Sequence, residues 1–387
     1  MTFDCPKCGA PVSYENVNSP TGNPAQVRCG YCNSTLMVPD QLRGRPAQVI
    51  SQVHVNLTGP SFKVHSLKWL WLVLIIPIFG GVIGILAAVG ALVPVARMFR
   101  PNTPSATSPN DPHRPVLGGK TSSGFANEVL RFGSQGIGPG MFTDARSIAV
   151  DGAGHIYVGE YSGGRVQVFD SNGQFQTQWM VDPKMPLRGL AADRKGTVYV
   201  VQSGVINKYE GETGKLLGPI PYAGGWGFDD VISTPDGGLL TAWYKNRDDI
   251  VKFTSTGQVA RTIPKAISSI TDQSELDTRV AADGLGNIYA LGTFNNAVFK
   301  FTSEGKFVNK FGSSGDQPGQ FRAPHAIAAD GKGRVFVSDM TGVQVFDGEG
   351  RYLQTFKVDG SASGLVFNDK NELFVVARKQ VLKFQLN

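Results

Sequence analysis

The stretch HAIAADGKGRVFVSDMTGVQVFDGEGRYLQTF, residues 325–356, decides the fold of the larger part of this chain. A short apolar run ends at Asp330-Gly-Lys-Gly333, a turn signal, and Val335-Phe-Val-Ser-Asp339 follows as a second strand. Val343-Gln-Val-Phe346 reads as a third strand, and after Asp347-Gly-Glu-Gly350 a fourth runs to Phe356. Each reversal carries Gly and an acidic residue, so the unit is an antiparallel meander. The same unit recurs along the chain. Its first turn is anchored at Asp151, Asp193, Pro235, Asp283, Asp330 and Asn368, at intervals of 42, 42, 48, 47 and 38 residues. Four short strands per unit of about 43 residues predict an all-β, six-bladed β-propeller over residues 124–387.

The sixth unit stops after its third strand, at Asn387. Its fourth strand is supplied from the front. Ala126-Asn-Glu-Val-Leu-Arg-Phe132 and the Gly-rich run behind it parallel Gly305-Lys-Phe-Val-Asn-Lys-Phe311 and its own Gly-rich run. An N-terminal strand therefore closes the ring and removes an edge that would invite aggregation. The units resemble the NHL-repeat family of propellers, through Ile148-Ala-Val-Asp151 with Gly154-His-Ile-Tyr-Val158, and through the 325–347 stretch above. The resemblance implies a binding platform, in some members joined to a membrane sensor, and leaves function to the site.

In a propeller the start of strand one and the end of strand two open on one face around a central channel. Five residues before each anchor stand Arg146, Arg188, Asp230, Thr278, His325 and Ser363, all polar. Glu160 and Asp339 stand at strand-two ends. The plain alternative is mutual pairing, such as Arg146 with Glu160. The functional reading is a small polar or anionic ligand held by Arg146 and Arg188, whose guanidiniums grip planar anions. A protein partner would use rim loops, with Trp226, Trp243 and Tyr244 as aromatic anchors. An enzyme reading, a lyase or lactonase-like hydrolase, places His325 with Asp339 and Glu160. Two propeller histidines fall short of the three-histidine zinc site of the amidating lyases that such propellers resemble. Two arginines depart from the acidic and amide cluster of lactonase-like ones. The binding platform is therefore the main expectation and the enzyme the alternative.

The first 123 residues are of another kind. All four cysteines lie in residues 1–40, as Cys5-Pro-Lys-Cys8 and Cys29-Gly-Tyr-Cys32. Two C-x2-C knuckles suit a tetrahedral four-thiolate site, so this piece resembles a zinc ribbon with one structural Zn2+ per chain. A redox dithiol pair or an Fe–S site competes with that reading. A linker (41–66) leads to a predicted transmembrane helix (67–99), whose residues 69–96 carry no charge in 28 positions. A buried soluble helix would rarely be apolar all round for so long. Gly80, Gly84 and Ala88 form a small-residue ridge that suits weak helix dimerisation. A Pro/Ser/Thr-rich linker (100–123) then reaches the propeller. The expected arrangement is single-pass, with the ribbon cytoplasmic, where thiolates stay reduced, and the propeller extracytoplasmic. Net charge is +6 without any Lys/Arg block, which argues against a nucleic-acid partner.

Overall fold

The computed structural model describes residues 2–4, 11–13, 26–28, 35–37, 116–117, 124–245 and 248–387. Cys5, Cys8, Cys29 and Cys32, and the whole of 67–99, lie outside them. Among the described residues no helix is long and apolar enough to cross a membrane.

Near the N-terminus β1 (Thr2–Asp4) pairs with β2 (Pro11–Ser13), and β3 (Gln26–Arg28) with β4 (Thr35–Met37). The two hairpins share one layout. Asp4 pairs with Pro11 and Arg28 with Thr35, so in each the residue before the first cysteine faces the third residue after the second. Val12 and Leu36 are buried.

From residue 124 onward the chain is the predicted ring of six antiparallel sheets. Blade one is typical: Ala145–Val150, Ile156–Glu160, Arg165–Phe169 and Phe175–Met180 run outward from the channel. Inner strands are buried on both faces because each blade is covered by neighbours on both sides, whereas outer strands are partly exposed. The core is accordingly split into clusters, one in every interface between adjacent blades. One interface packs Tyr157 and Trp179 of blade one on Leu187 and Tyr209 of blade two. Another packs Phe132 and Val376 of blade six on Phe169 of blade one. The ring closes as expected: β6 (Ala126–Phe132) lies along Val381–Leu386, with Phe132 opposite Val381. Beyond expectation, β5 (Val116–Leu117) adds a fifth strand outside β6.

The turn between strands one and two explains the repeating aspartate. Asp330 is fully buried, and its Oδ1 accepts the backbone N–H groups of Lys332 and Arg334 at 2.9 and 2.8 Å. Its Oδ2 takes Arg334 Nε at 2.8 Å. Asp151 and Asp283 do the same, with Oδ2 accepting Tyr157 and Tyr289 hydroxyls at 2.9 and 3.0 Å. Burial, and then the nearby carboxylate, hold both tyrosines well above the usual phenol range. Gly333 sits at φ 79°, which only a residue without Cβ adopts cheaply. In blade three the anchor is Thr234, not Pro235: Thr234 N bonds Gly238 O as Asp151 N bonds His155 O.

Candidate active site at the channel mouth

Six inner strands enclose a channel of about 400 Å³, lined from Arg146 at one end to Asp151 at the other. Ile148, Leu190, Val231, Val280, Ile327 and Leu365 give it an apolar waist. The polar end is built by a repeated backbone device. In blades one to three a β-bulge interrupts pairing between strands one and two, at Arg146, Arg188 and Asp229. His325 N and Ser363 N make the equivalent bonds, to Ser338 O and Val376 O. A bulge re-aims the side chain it carries, and Arg146, Arg188, His325 and Ser363 line the channel as expected. Blade four lacks the bulge. Thr278 pairs regularly with Gly292, is buried, and does not line the channel; Asp277 and Arg279 on either side of it do. Asp230 also lines the channel, but the bulged position in blade three belongs to Asp229.

The strand-two carboxylates serve elsewhere. Buried Glu160 accepts Thr143 N, Thr143 Oγ1 and Arg165 Nε at 2.6–2.7 Å. Buried Asp339 accepts Thr341 N at 2.7 Å, Gln344 Nε2 at 3.0 Å and Arg322 N at 3.2 Å. Neither lines the channel, so the expected grouping of His325 with Asp339 and Glu160 is not assembled. The two instead fasten the loop that leads into their blade. Gln202 does so in blade two, and in blade three Trp243 Nε1 donates to Trp226 O at 3.2 Å. Trp243 is thus a buried core residue, not a rim anchor. Trp226 and Tyr244 are exposed together, ring centroids 6.2 Å apart. Blade four reverses the device: Glu275, from the loop, accepts Asn295 N at 3.1 Å. Its carboxylate occupies the space that a Cβ on Gly292 would need, 2.7 Å away.

Two arginines that the sequence reading passed over, Arg279 and Arg378, complete the mouth. Arg146 donates to Asp144 Oδ2 at 2.7 Å, lies 3.8 Å over the Tyr161 ring, and shares Asp144 with Arg378. Burial disfavours charge on Asp144, but hydrogen bonds from Arg146 and Arg378 outweigh it and keep the carboxyl below its usual range. Arg188 pairs with Asp229, and Arg279 with Asp277 at 2.8 Å. Asp230 Oδ2 accepts Val280 N at 2.9 Å. Burial pushes Asp229 up to about 6 in spite of Arg188, and raises Asp230 as well. His325 moves the other way: partial desolvation and then the charge of Arg378 lower its pKa, with Asp277 opposing, so the imidazolium form is disfavoured. Five buried side-chain atoms in and beside the mouth make no aligned hydrogen bond, on Arg188, Asp229, Asp277, Thr278 and Arg279, and three of them, Arg188 Nε, Asp229 Oδ1 and Asp277 Oδ1, are held in ion pairs instead. Buried polar atoms are normally hydrogen-bonded, so the mouth differs from the turn end in resting on ion pairs that lack aligned hydrogen bonds. Among the described residues no group of three or more His, Cys, Asp or Glu is placed to hold a metal ion.

No family model matches the chain, and no curated protein matches it. Solved structures do. A gluconolactonase from Xanthomonas campestris is similar over 72% of this chain and 99% of its own, at 17% identity and a TM-score of 0.51. A putative gluconolactonase is similar over 66% of this chain and 92% of its own, at 15% identity and a TM-score of 0.52. At these identities the likeness establishes the six-bladed propeller and nothing finer.

Proposed function

We propose that the propeller is an enzyme of the lactone-hydrolase or lyase type, acting at the channel mouth on a small polar substrate that carries or develops negative charge. The observation that carries this reading is that His325, whose imidazolium is disfavoured there, lines one mouth with Arg146, Arg188, Arg279 and Arg378. A neutral imidazole accepts a proton; fixed guanidiniums stabilise the charge that forms when the proton leaves. For a lactone, His325 takes the proton of an attacking water, the carbonyl oxygen becomes an oxyanion facing the arginines, and its collapse breaks the acyl C–O bond of the ring. His325 returns the proton to the departing ring oxygen, which becomes a hydroxyl, and the carboxylate product is left in the arginines' grip. The alternative weighed against a binding platform thus becomes the main reading, with Asp144 and Asp277 in place of Glu160 and Asp339 as the carboxylates that orient the site. That similar propellers include a gluconolactonase and a putative one supports the choice of substrate class.

The test is turnover of glucono-1,5-lactone by the full chain. His325→Gln should lower kcat by about 10²–10⁴ with little change in melting temperature, and Arg146→Ala with Arg188→Ala should chiefly raise KM. Unchanged kcat in His325→Gln removes the histidine from the chemistry. Binding of gluconate without turnover restores the platform reading, for which the exposed Trp226–Tyr244 pair is the partner surface.

The NHL-type assignment of the blades, the zinc ribbon and the membrane anchor belong to the same reading. Two strand pairs of matching register, each with a C-x2-C in the sequence between its strands, support one Zn2+ held by Cys5, Cys8, Cys29 and Cys32. The uncharged run 69–96 supports a single span, with the ribbon cytoplasmic and the propeller extracytoplasmic.

A further inference from the structure

The two faces of the propeller differ in a way that the channel chemistry does not require. Loops joining strand two to strand three, and one blade to the next, surround the arginine-lined mouth. These loops carry Ile137, Trp226, Leu276, Phe294 and Met340, each more than half exposed, with Ile137 at 83%. On the opposite face, among the described residues, no turn carries an exposed large hydrophobic side chain; Met185, Tyr244 and Ile270 lie on further mouth-side connections, and the rest lie on outer strands. The five residues come from blades one, three, four and five, so they ring the mouth and do not form one local patch. Exposed lysines stand among them, including Lys184, Lys245 and Lys379, and Lys245 Nζ lies 5.0 Å from the centre of the Trp226 ring.

A second observation concerns the direction of the chain. β6 rises from Ala126 to Phe132 and runs directly into a mouth-side loop. β5 is antiparallel to it, with Val116 opposite Arg131 and Leu117 opposite Leu130. Val116 is therefore at the mouth-side end of β5.

From these we infer that the mouth-bearing face of the propeller docks on an anionic lipid surface. Apolar and aromatic tips enter the headgroup layer, and the lysines between them meet lipid charge. Single apolar side chains on loops gain little from one another, since they are spread around a rim. A flat, continuous apolar layer serves all of them at once. Basic side chains beside them add roughly 1 kcal/mol each near an anionic surface. The arginine mouth then sits at headgroup level, which suits substrates delivered along the surface. The inference does not rest on the catalytic reading, because none of the ring residues lines the channel.

The test is hydrogen–deuterium exchange of the full chain with phosphatidylglycerol vesicles, with phosphatidylcholine vesicles and in detergent. Exchange in loops 133–142, 222–228, 293–296 and 340–341 should slow by about tenfold with the anionic vesicles, while turns 151–155 and 330–334 do not change. The triple variant Ile137→Asp, Phe294→Asp, Met340→Asp changes exposed positions only and should lose this protection. Loops that exchange equally with anionic vesicles and in detergent overturn the inference. So does protection that survives in the variant, or protection that appears only when a soluble protein is added, which would make the ring a protein interface.

Discussion

The same six inner strands end in two unlike ways. At the turn end, charge is consumed: Asp151, Asp283 and Asp330 each satisfy two backbone N–H groups and a side-chain donor, in nearly superimposable geometry. At the mouth end, charge is gathered but not fully satisfied. Arg188 faces Asp229 without an aligned hydrogen bond, and Thr278 Oγ1 has no partner. Repetition at one end and departure from repetition at the other separate what holds the ring from what the ring presents. A protein keeps unsatisfied buried polar groups where function needs them.

Two substitutions put that contrast to a direct test. Removing the carboxylate in Asp330→Ala strands two backbone donors and the Arg334 guanidinium in a buried turn, and should cost about 3–5 kcal/mol in urea unfolding. A loss below about 1 kcal/mol would mean that the turn aspartates are ornamental. Asp229→Asn, equally buried, should change stability at pH 7 by no more than about 1 kcal/mol, because its charge is held there against desolvation. The pH dependence gives the sign. A carboxyl raised from 3.8 to about 6 on folding contributes stability that is fully present below 3.8 and is lost as pH rises through about 6. The stability of wild type relative to Asp229→Asn should therefore fall as pH rises across that window. An identical pH profile for the two proteins contradicts the assignment.

Much of this was legible in the chain itself. Glycine and aspartate recur at the first turn because glycine takes its positive φ cheaply and the carboxylate accepts its backbone N–H groups, with Thr234, Asn368 and Asn371 standing in, so period and blade count could be read from spacing. What was not legible turns on single-residue offsets. A β-bulge has no compositional mark, so nothing in the letters 277–279 announces that blade four lacks one and offers Asp277 and Arg279 in place of Thr278. Threonine standing in for aspartate at 234 moved the blade-three anchor by one. Trp243 therefore proves to be the loop fastener of the core and Asp229 the bulged residue. Arg378 was missed for another reason: it comes from a strand-two to strand-three loop, and its partner Asp144 is 234 residues away in sequence. Glu160 and Asp339 look catalytic in a linear reading because loop fastening and acid–base work draw on the same side chain.

The most direct test of the account is the titration of His325 itself. The chain has five histidines, and comparison with His325→Gln assigns the signal in a histidine-labelled NMR spectrum. The expected pKa lies below the ordinary 6.5, since partial desolvation and Arg378 disfavour the imidazolium, and it should rise when gluconate fills the mouth and offsets the guanidinium charge. An ordinary pKa that gluconate does not move would show that the histidine neither feels the arginines nor shares a site with the anion they are set to hold.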